Sequence, residues 1–304
     1  MTQIRAAVDI LLPYYGDESY LKEAVRSVIF QECHDWRLLI VDDATPNVNP
    51  KEWVTSLDDP RVHYERNTEN IGANRNFQRV LDISNAPVVV FMGADDVMLP
   101  GYLNNVLDLF DYYPQVSIVQ PGVQVVGADG EPQDTLVDSI KALLAPRSKE
   151  PLVLTGERMA ASLLHAGWHY FPSLAWRRAA IAPLGFQPEY DVVQDLALLV
   201  DVAASGGSIV VSRDPVVFCY RRHTASDSSM RALDGRRFDE ERRFFRHQTS
   251  ALANRGWPRA SRAARIHWTS RLHALVVLLR SLPTTNWPSL RTLARHILLW
   301  SFLN

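Results

Sequence analysis

Residues 87–99, PVVVFMGADDVML, decide the fold expected of this chain. The apolar run 88–91 is typical of a strand buried on both faces of a mostly parallel sheet. Gly93-Ala94 and the acidic pair Asp95-Asp96 follow, where the strand should reach the carboxyl edge of the sheet. Open α/β folds bind their ligands at that edge. The paired carboxylates therefore predict a cation or a hydrogen-bond network, with capping of the next helix as the alternative.

The same order of strand, polar loop and helix occurs earlier in the chain. Predicted strands cover residues 8–12, 38–41 and 62–64, and predicted helices cover residues 18–30 and a segment from the polar loop 66–72 to residue 81. This alternation predicts right-handed βαβ units in a doubly wound, mostly parallel sheet. The strand ends at Pro13, Asp42-Asp43 and Asp95-Asp96 should therefore share one edge.

The residue pattern in the second half of the chain predicts three helices and four extended segments. The helices cover residues 103–110, 155–165 and 196–204, and the extended segments cover 116–126 (as two short strands), 171–176, 209–211 and 216–220. Residues 131–151 are expected to be a surface excursion of unassigned conformation. From about Asp234 the chain is helical in pattern, which predicts two domains, 1–230 and 231–304.

The charge is distributed unevenly along the chain. The formal net charge is −2, but residues 231–304 hold 14 Arg, no Lys and 4 acidic residues, which gives this segment +10. A basic segment on an acidic body predicts contact with an anionic surface, either phospholipid or nucleic acid, or a solvated helical face without a partner. The two cysteines, Cys33 and Cys219, match no zinc or disulfide pattern and fit a reducing compartment.

An apolar stripe with nearby arginines and four tryptophans marks the segment after residue 230. The stripe comprises Ala264, Trp268, Leu272, Leu275 and Leu279, and the tryptophans are Trp257, Trp268, Trp287 and Trp300. Such a pattern predicts an in-plane membrane helix, or equally a helical bundle that packs on the body or on a second subunit. No stretch supplies the roughly 20 apolar residues that span a bilayer.

Six segments in order resemble the inverting family 2 glycosyltransferases of the GT-A fold, over about residues 6–228. They are DILLPYYGDESYLKEAVRSVIFQ, IVDDATP, ENIGANRNF, VVVFMGADDVMLP, PLGFQPEYDVVQDLALLVDVAASG and YRRHTASDS. The resemblance implies a nucleotide-sugar-dependent transferase with a GT-A sheet flanked by helices. The segment after residue 230 lies outside it.

The resemblance also implies a donor site at the predicted edge. Asp42 would hold the nucleotide base, and the remaining donor-side residues would be Pro13, Tyr14, Asp43, Asn70, Gly72, Arg75, Ala94 and Asp95. Carboxylates accept hydrogen bonds from a uracil N–H, and aromatic rings stack on bases. An Asx turn for Asp42-Asp43 and a solvated helix-surface Arg75 are the alternatives.

The acidic metal-binding triplet of the family is altered here. Its first acid would fall at Gly93, so Asp95 is the expected ligand of Mg²⁺ or Mn²⁺, and His223 would add a ligand or contact the diphosphate. Magnesium takes oxygen ligands, retains water and bridges phosphates, which suits one or two protein carboxylates. A loop histidine bonded to backbone is the alternative for His223.

The catalytic base implied by the resemblance is Asp195. An inverting transfer needs one carboxylate to accept the proton of the attacking hydroxyl. The Glu that precedes it in the family is Gln194 here, so the local pKa of the base is open. The expected acceptor-side residues are Trp168, His169, Tyr170, Ser173 and Gln194, although the aromatic ones would also suit a core.

These expectations combine into one function with alternatives. The enzyme would move a sugar, UDP-linked by expectation, to a hydroxyl of a glycan or a lipid-linked acceptor, at the cytoplasmic face of the cell membrane and in an envelope polysaccharide pathway. No nucleic acid is expected, and the C-terminal helices could support a homo-oligomer. A noncatalytic nucleotide-sugar-binding module and a sugar nucleotidyltransferase are the alternatives. A dinucleotide oxidoreductase is disfavoured because no G-x-G-x-x-G follows the first strand.

Overall fold

The computed structural model describes residues 6–133, 135–223, 236–281, 293–294 and 296 of the 304-residue chain. The strands are β1 Val8–Tyr14, β2 Trp36–Asp42, β3 Val62–Arg66, β4 Val88–Phe91, β5 Val97–Met98, β6 Ile118–Val126, β7 Leu152–Thr155, β8 Ala175–Arg177 and β9 Ser208–Arg221. The helices are α1 Glu18–Ile29, α2 Lys51–Ser56, α3 Ala73–Ile83, α4 Tyr102–Tyr112, α5 Leu136–Leu144, α6 Gly156–Ala166, α7 Arg178–Ile181, α8 Gln194–Ala204, α9 Arg236–Asn254, α10 Pro258–Ile266 and α11 Trp268–Ser281.

All described strands belong to one sheet, in the order β3-β2-β1-β4-β8-β6-β9-β5, with β7 also paired to β9. Strands β1 to β4 run parallel to one another, and β9 runs parallel to β6. The short strand β8 joins the two halves because it is antiparallel to both β4 and β6. The expected α/β architecture is confirmed, and the carboxyl ends of β1, β2 and β4 lie at one edge.

Helices cover both faces of the sheet, which explains the continuous apolar runs in its central strands. Along β4, Val89 and Phe91 pack into one core with α3, α6 and α8, whereas Val88 and Val90 pack into a second core with α1 and α4. Successive strand side chains point to opposite faces, so each run serves both cores. The strand ends are thereby held rigidly on both sides.

Four local assignments differ from the sequence expectations. Within the segment 171–176, expected to be extended, Phe171–Ser173 form a turn of 3-10 helix and only the end belongs to β8. The two strands expected in residues 116–126 are one, β6, which has a register shift at Gly122 where it pairs with β9. A Cβ at Gly122 would lie 2.3 Å from Arg213 O, so only glycine allows this close approach of the two backbones. The two segments expected around residues 209–220 likewise form one strand, and residues 136–144 form helix α5.

The described C-terminal helices pack on the body of the protein. Arg259 N–H in the first turn of α10 donates to Glu157 Oε1 of α6 at 2.5 Å, and Ala260 and Ala264 have 0% of their surface exposed. Leu272 and Leu275 of the stripe remain 37% and 38% exposed. Packing on the body is therefore observed, and membrane contact stays a prediction. The side chain of Leu279 and residues Trp287 and Trp300 lie outside what the structure describes.

Within the described residues, no helix combines the length and the apolar character that crossing a bilayer requires.

Candidate active site

The carboxylate of Asp42 ends β2 at the expected edge and is fully buried. Its Oδ1 accepts from the amide and the hydroxyl of Thr45, both at 2.9 Å. Its Oδ2 accepts from Tyr64 OH at 2.7 Å and from Arg66 Nη1 at 2.6 Å. Because a carboxylate has about four acceptor positions, the protein already occupies them. A nucleotide base could therefore reach Asp42 only by displacing one of these donors.

Asp43 organises the loop that precedes α3. Its Oδ1 accepts from Asn67 Nδ2 at 2.7 Å and from Ile71 N–H at 2.8 Å, and its Oδ2 accepts from Gly72 N–H at 2.9 Å. Gly72 has φ of +88°, a conformation that favours glycine, and it precedes the first turn of the helix. Asn70 Oδ1 also accepts from Gly72 N–H at 3.1 Å.

The exposed groups at this edge come from the loop and the strand end. Arg75 lies in the first turn of α3 with its side chain exposed. Pro13 and Tyr14 end β1, but the Tyr14 ring is 0% exposed and packs in the core with α1, so its expected contact with a nucleoside is replaced by a packing role. Tyr15 follows the last residue of β1, and its ring is 58% exposed.

The acidic loop after β4 brings two predicted residues together. Asp95 Oδ2 lies 2.8 Å from His223 Nε2, with the two side chains 30% and 15% exposed. Ala94 precedes Asp95 in the same loop and is partly buried. The two side chains come from segments separated by 128 positions in the sequence, so the fold itself forms this pair.

Gly93 leaves room for the carboxylate of Asp96. A Cβ at position 93 would lie 2.3 Å from Asp96 Oδ2 and 3.0 Å from Asp95 Oδ1. Asp96 is 1% exposed, its Oδ1 accepts from Arg221 N–H at 2.8 Å, and its Oδ2 has no hydrogen-bond partner among the described residues. Burial, followed by the charge of Asp95, raises the pKa of Asp96 well above its usual value. Asp96 therefore fills the space in which a side chain at 93 would begin.

Arg221 fastens the acidic loop to the end of β9. Its Nε donates to Asp95 O at 2.7 Å, its Nη1 donates to Ala128 O at 3.0 Å, and its Nη2 pairs with Glu23 of α1 at 2.7 Å. The Arg221 side chain is 3% exposed, which shields its contacts with the two carbonyl oxygens from water, whereas the Glu23 side chain is 50% exposed. Arg221 belongs to the Tyr-Arg-x-His segment of the sequence, but only the structure shows that it connects the acidic loop to the end of β9.

The side chains of Asp95 and His223 fit a divalent cation whose remaining ligands come from other molecules. Among the residues that the structure describes, no group of three His, Cys, Asp or Glu side chains converges as a metal site. Asp95 and His223 together offer one carboxylate oxygen and one imidazole nitrogen. Such a pair suits Mg²⁺ or Mn²⁺ when diphosphate and water complete the coordination.

Asp195 lies in the first turn of α8 beside His169. Its Oδ2 is 3.1 Å from His169 Nε2, its Oδ1 accepts from Leu196 N–H at 2.6 Å, and 30% of its side chain is exposed. Burial would raise the pKa of Asp195, but the hydrogen bond and charge of His169, then the Leu196 N–H and Lys141, outweigh it and lower that pKa. Asp195 is therefore an accessible carboxylate that is ionised at neutral pH.

The other expected acceptor-side residues differ in their access. Gln194 is 9% exposed, and within the described part of the chain its buried Oε1 has no hydrogen-bond partner. Trp168 is 3% exposed and donates from Nε1 to Ser162 Oγ, and Ser173 is 0% exposed and bonds to Tyr170 O and Gln120. For Trp168 and Ser173, packing and hydrogen bonding within the core replace the expected acceptor contact.

Helix α5 adds functional-site residues that sequence reasoning missed. Asp138 accepts from Arg222 Nε and Nη2, both at 2.7 Å, and from Tyr170 OH at 3.2 Å. Lys141 Nζ donates to His169 O at 3.3 Å, and burial, followed by Arg222, lowers the pKa of Lys141 to about 8. Thr135, whose hydroxyl caps Asp138 N–H at 3.1 Å, supplied the available signal, since T-x-x-D before an apolar run resembles a capping box.

Comparison with known proteins identifies related sequences. The model of the family described as glycosyl transferase family 2 matches residues 9–180. The chain is 25% identical over 145 residues to "Putative teichuronic acid biosynthesis glycosyltransferase TuaG" of Bacillus subtilis, a match that covers 47% of this chain and 57% of the relative. It is 26% identical over 98 residues to "Putative colanic acid biosynthesis glycosyl transferase WcaA" of Escherichia coli, covering 32% and 35%. The chain thus spans little more than half of these relatives at most.

Solved structures share the fold over nearly the whole chain. TarS 1–349 from S. aureus superposes with a TM-score of 0.63 at 14% identity, covering 96% of this chain and 81% of that one. The mannosyltransferase PcManGT from Pyrobaculum calidifontis, solved with GDP-Man and Mn²⁺, gives 0.59 at 16% identity, covering 98% and 81%. The family match extends over more than half of the chain, from β1 to α7, and includes the acidic loop. The chain therefore belongs to glycosyltransferase family 2.

Proposed function

We propose that the chain is an inverting, metal-dependent glycosyltransferase that moves a sugar from a UDP-linked donor to a hydroxyl of a glycan or glycolipid. The observation that carries this proposal is the Asp195 carboxylate, 30% exposed and 3.1 Å from His169, at the start of α8. A lowered pKa keeps this carboxylate ionised and able to accept a proton. Relatives named for envelope polysaccharide synthesis support the substrate class.

Asp195 acts as the base in this proposal. It accepts the proton of the acceptor hydroxyl while that oxygen forms a bond to the anomeric carbon of the donor. The bond from the anomeric carbon to the diphosphate oxygen breaks, and the nucleoside diphosphate leaves with the bonding electrons. Attack opposite to the departing group inverts the anomeric configuration. His169 orients the carboxylate, because a proton on its Nε2 donates to Asp195 Oδ2.

The donor binds at the carboxyl edge of β1, β2 and β4. The exposed ring of Tyr15 and the exposed Arg75 offer stacking and charge to the nucleotide, and Asp42 contributes through the Arg66 and Tyr64 groups that it fixes. Asn70 and Gly72 shape the adjoining loop, which Asp43 holds in place. The TarS structures were solved with UDP and UDP-GlcNAc, which supports a uridine nucleotide as the donor, whereas PcManGT was solved with GDP-Man, so a guanosine nucleotide is the alternative.

Asp95 and His223 would hold the divalent cation, and the Mn²⁺ in the PcManGT structure supports this choice. When bound, the cation supplies positive charge against the diphosphate that departs. Arg221 keeps Asp95 and His223 close together, because it binds Asp95 O and precedes His223 by only two positions. Asp96, buried beneath, holds the Arg221 backbone.

The extension expected over residues 231–304 is described as helices α9 to α11, and these helices are proposed to border the acceptor side. Val192 N–H and Val193 N–H, just before Asp195, donate to Glu240 Oε1 of α9 at 2.6 and 2.9 Å. The net charge of +10 in residues 231–304 would also favour an anionic cytoplasmic leaflet. Sedimentation with anionic vesicles tests this: an absence of binding at low ionic strength would contradict the membrane part alone.

Calorimetric titration of UDP with and without Mg²⁺ or Mn²⁺ tests the donor site. We expect metal-dependent binding that Asp95→Ala abolishes. Asp108→Ala, in α4 and outside the proposed site, serves as the matched control that retains UDP affinity. If UDP, GDP and TDP all fail to bind with either metal, the donor-site proposal is refuted.

Assays of donor hydrolysis and of sugar transfer to acceptors test the proposed role of Asp195 as the base. Asp195→Asn preserves the shape of the side chain but cannot accept the proton, so transfer should fall by at least 100-fold, on the order of the contribution of a positioned base, while UDP affinity persists. Unchanged transfer by this variant would remove Asp195 from the mechanism. Binding of donor without any transfer by the wild-type protein would favour the noncatalytic alternative.

A further inference from the structure

A cavity of about 440 Å³ lies between the catalytic body and the helices α9 and α11. Its wall includes Asp195 and His169, and it also includes Lys141 of α5. The volume falls within the range of small-molecule sites, which are concave, mainly apolar and equipped with a few polar groups. The proposed base therefore faces a space that the C-terminal helices help to enclose.

Several polar side chains of this wall contact one another. Lys141 Nζ contacts His169 O at 3.3 Å, and His169 Nε2 contacts Asp195 Oδ2 at 3.1 Å. Within helix α9, Arg237 forms an ion pair with Glu241 at 2.7 Å. Because the α9 charges satisfy each other, Asp195 is the wall carboxylate best placed to receive a proton from an incoming hydroxyl.

Apolar side chains make up the larger part of the wall. They come from α6 as Leu163 and Leu164, from α9 as Phe245, and from successive turns of α11 as Leu272, Val276 and Val277. A hydroxyl-rich ligand that filled this space would leave those of its polar groups that face these side chains without partners, which is unfavourable. Hydrocarbon against the same wall is stabilised by removal from water.

We infer that this cavity takes an amphiphilic acceptor, whose sugar or other hydroxyl head meets Asp195 and whose hydrocarbon or apolar aglycone lies along α11. The inference rests on the proposed function, since it assigns the acceptor class of the same site. It also gives the C-terminal extension a role in acceptor selection, and it places the specificity for the aglycone on Val276 and Val277.

The probe is a series of n-alkyl β-D-glucosides, from methyl to octyl, titrated calorimetrically into the full chain below their micelle concentrations. Affinity should rise with chain length, by up to about fourfold for each methylene that becomes fully buried. Equal affinities for methyl and octyl glucoside would overturn the inference without any variant. Metal-dependent UDP binding, measured on the same samples, reports separately on the proposed function.

Variants that fill the cavity sharpen the test. Val277→Trp should remove the dependence on chain length while UDP affinity stays within about twofold of wild type. Leu275→Trp is the matched control, because Leu275 is on the same helix, is 38% exposed and does not line the cavity. Val276→Trp provides a second filled cavity if Val277→Trp unfolds. Loss of the dependence in Leu275→Trp as well would assign it to surface partitioning and overturn the inference.

Discussion

Introducing an acid at position 93, where the family pattern has its first metal-site acid, is expected to destabilise this protein. Gly93→Asp adds a Cβ that would lie 2.3 Å from Asp96 Oδ2, 3.2 Å from Asp96 Cγ and 3.0 Å from Asp95 Oδ1. Asp96 has little freedom to move away, because it is 1% exposed and accepts a 2.8 Å hydrogen bond from Arg221 N–H. Gly93→Ala tests the added Cβ alone.

The magnitude follows from two contributions. Overpacking a buried site costs about 1–3 kcal/mol, which sets the expectation for Gly93→Ala at about 2 kcal/mol. If Gly93→Asp also displaces the Asp96 carboxylate, Arg221 N–H loses its acceptor, and an unsatisfied buried donor costs about 1–3 kcal/mol more. The third carboxylate adds repulsion, so Gly93→Asp should lose about 4 kcal/mol.

Urea unfolding of a double-mutant cycle measures the effect. Asp96→Ala removes the two Asp96 atoms that the new Cβ would meet and leaves the 3.0 Å approach to Asp95 Oδ1, so Gly93→Ala should cost about 1–2 kcal/mol less in the Asp96→Ala background than in the wild type. The m values should agree among all four proteins, which would show that only stability has changed. Metal-dependent UDP affinity of Gly93→Asp should not exceed that of the wild type.

Two results would refute this reasoning. Gly93→Ala as stable as the wild type would show that Asp96 does not occupy the space beside position 93. Tighter metal-dependent UDP binding by Gly93→Asp would show that the loop can accommodate the missing acid and use it.

Three further predictions concern other parts of the molecule. His169→Ala removes the hydrogen bond that lowers the pKa of Asp195, so the acidic limb of the kcat/KM profile should move to higher pH; an unmoved limb would show that His169 does not set that pKa. Asp95→Asn should weaken UDP binding at least 10-fold with Mn²⁺ present and leave metal-free binding unchanged, as titration in chelator would report. Burial lowers the pKa of His267 to about 4 from 6.5, so stability should be highest above pH 6.5 and fall by up to about 3 kcal/mol as pH drops to 4. His267→Phe, which keeps a ring against Phe245, should flatten that slope in urea unfolding at both pH values.

The parallel half of the fold could be predicted because its strands are buried on both faces. The apolar run 88–91 coincides with β4, and α1 and β2 were located to within two residues. The long strands β6 and β9 were harder, since their register shift near Gly122 and the polar residues 212–215 interrupt the apolar pattern. A backbone pairing continues through such interruptions even when the side-chain pattern does not.

The candidate site was predictable to the level of segments and less so to the level of side chains. The acids at the ends of β2 and β4 stand where the strand order predicts. Tyr14 is buried as the last residue of β1 and the next residue, Tyr15, is exposed, whereas Trp168 enters the core by packing against α6. No motif specifies either outcome. Helix α5 escaped prediction because its polar, proline-containing surroundings conceal a short apolar segment.

The end of β9 links the proposed donor site to the proposed acceptor site, so the two are not expected to behave as separable modules. Arg221 is tied to the acidic loop and to Glu23, and the next residue, Arg222, is tied to Asp138 by two bonds of 2.7 Å. A chimaera that imports residues 131–151 from a relative to change acceptor preference would therefore also disturb donor alignment unless it retains Asp138. UDP affinity of such grafts with and without Asp138 would reveal the linkage, and equal affinities would contradict it. Redesign of acceptor preference is thus expected to succeed through α11, which lies outside this shared strand end.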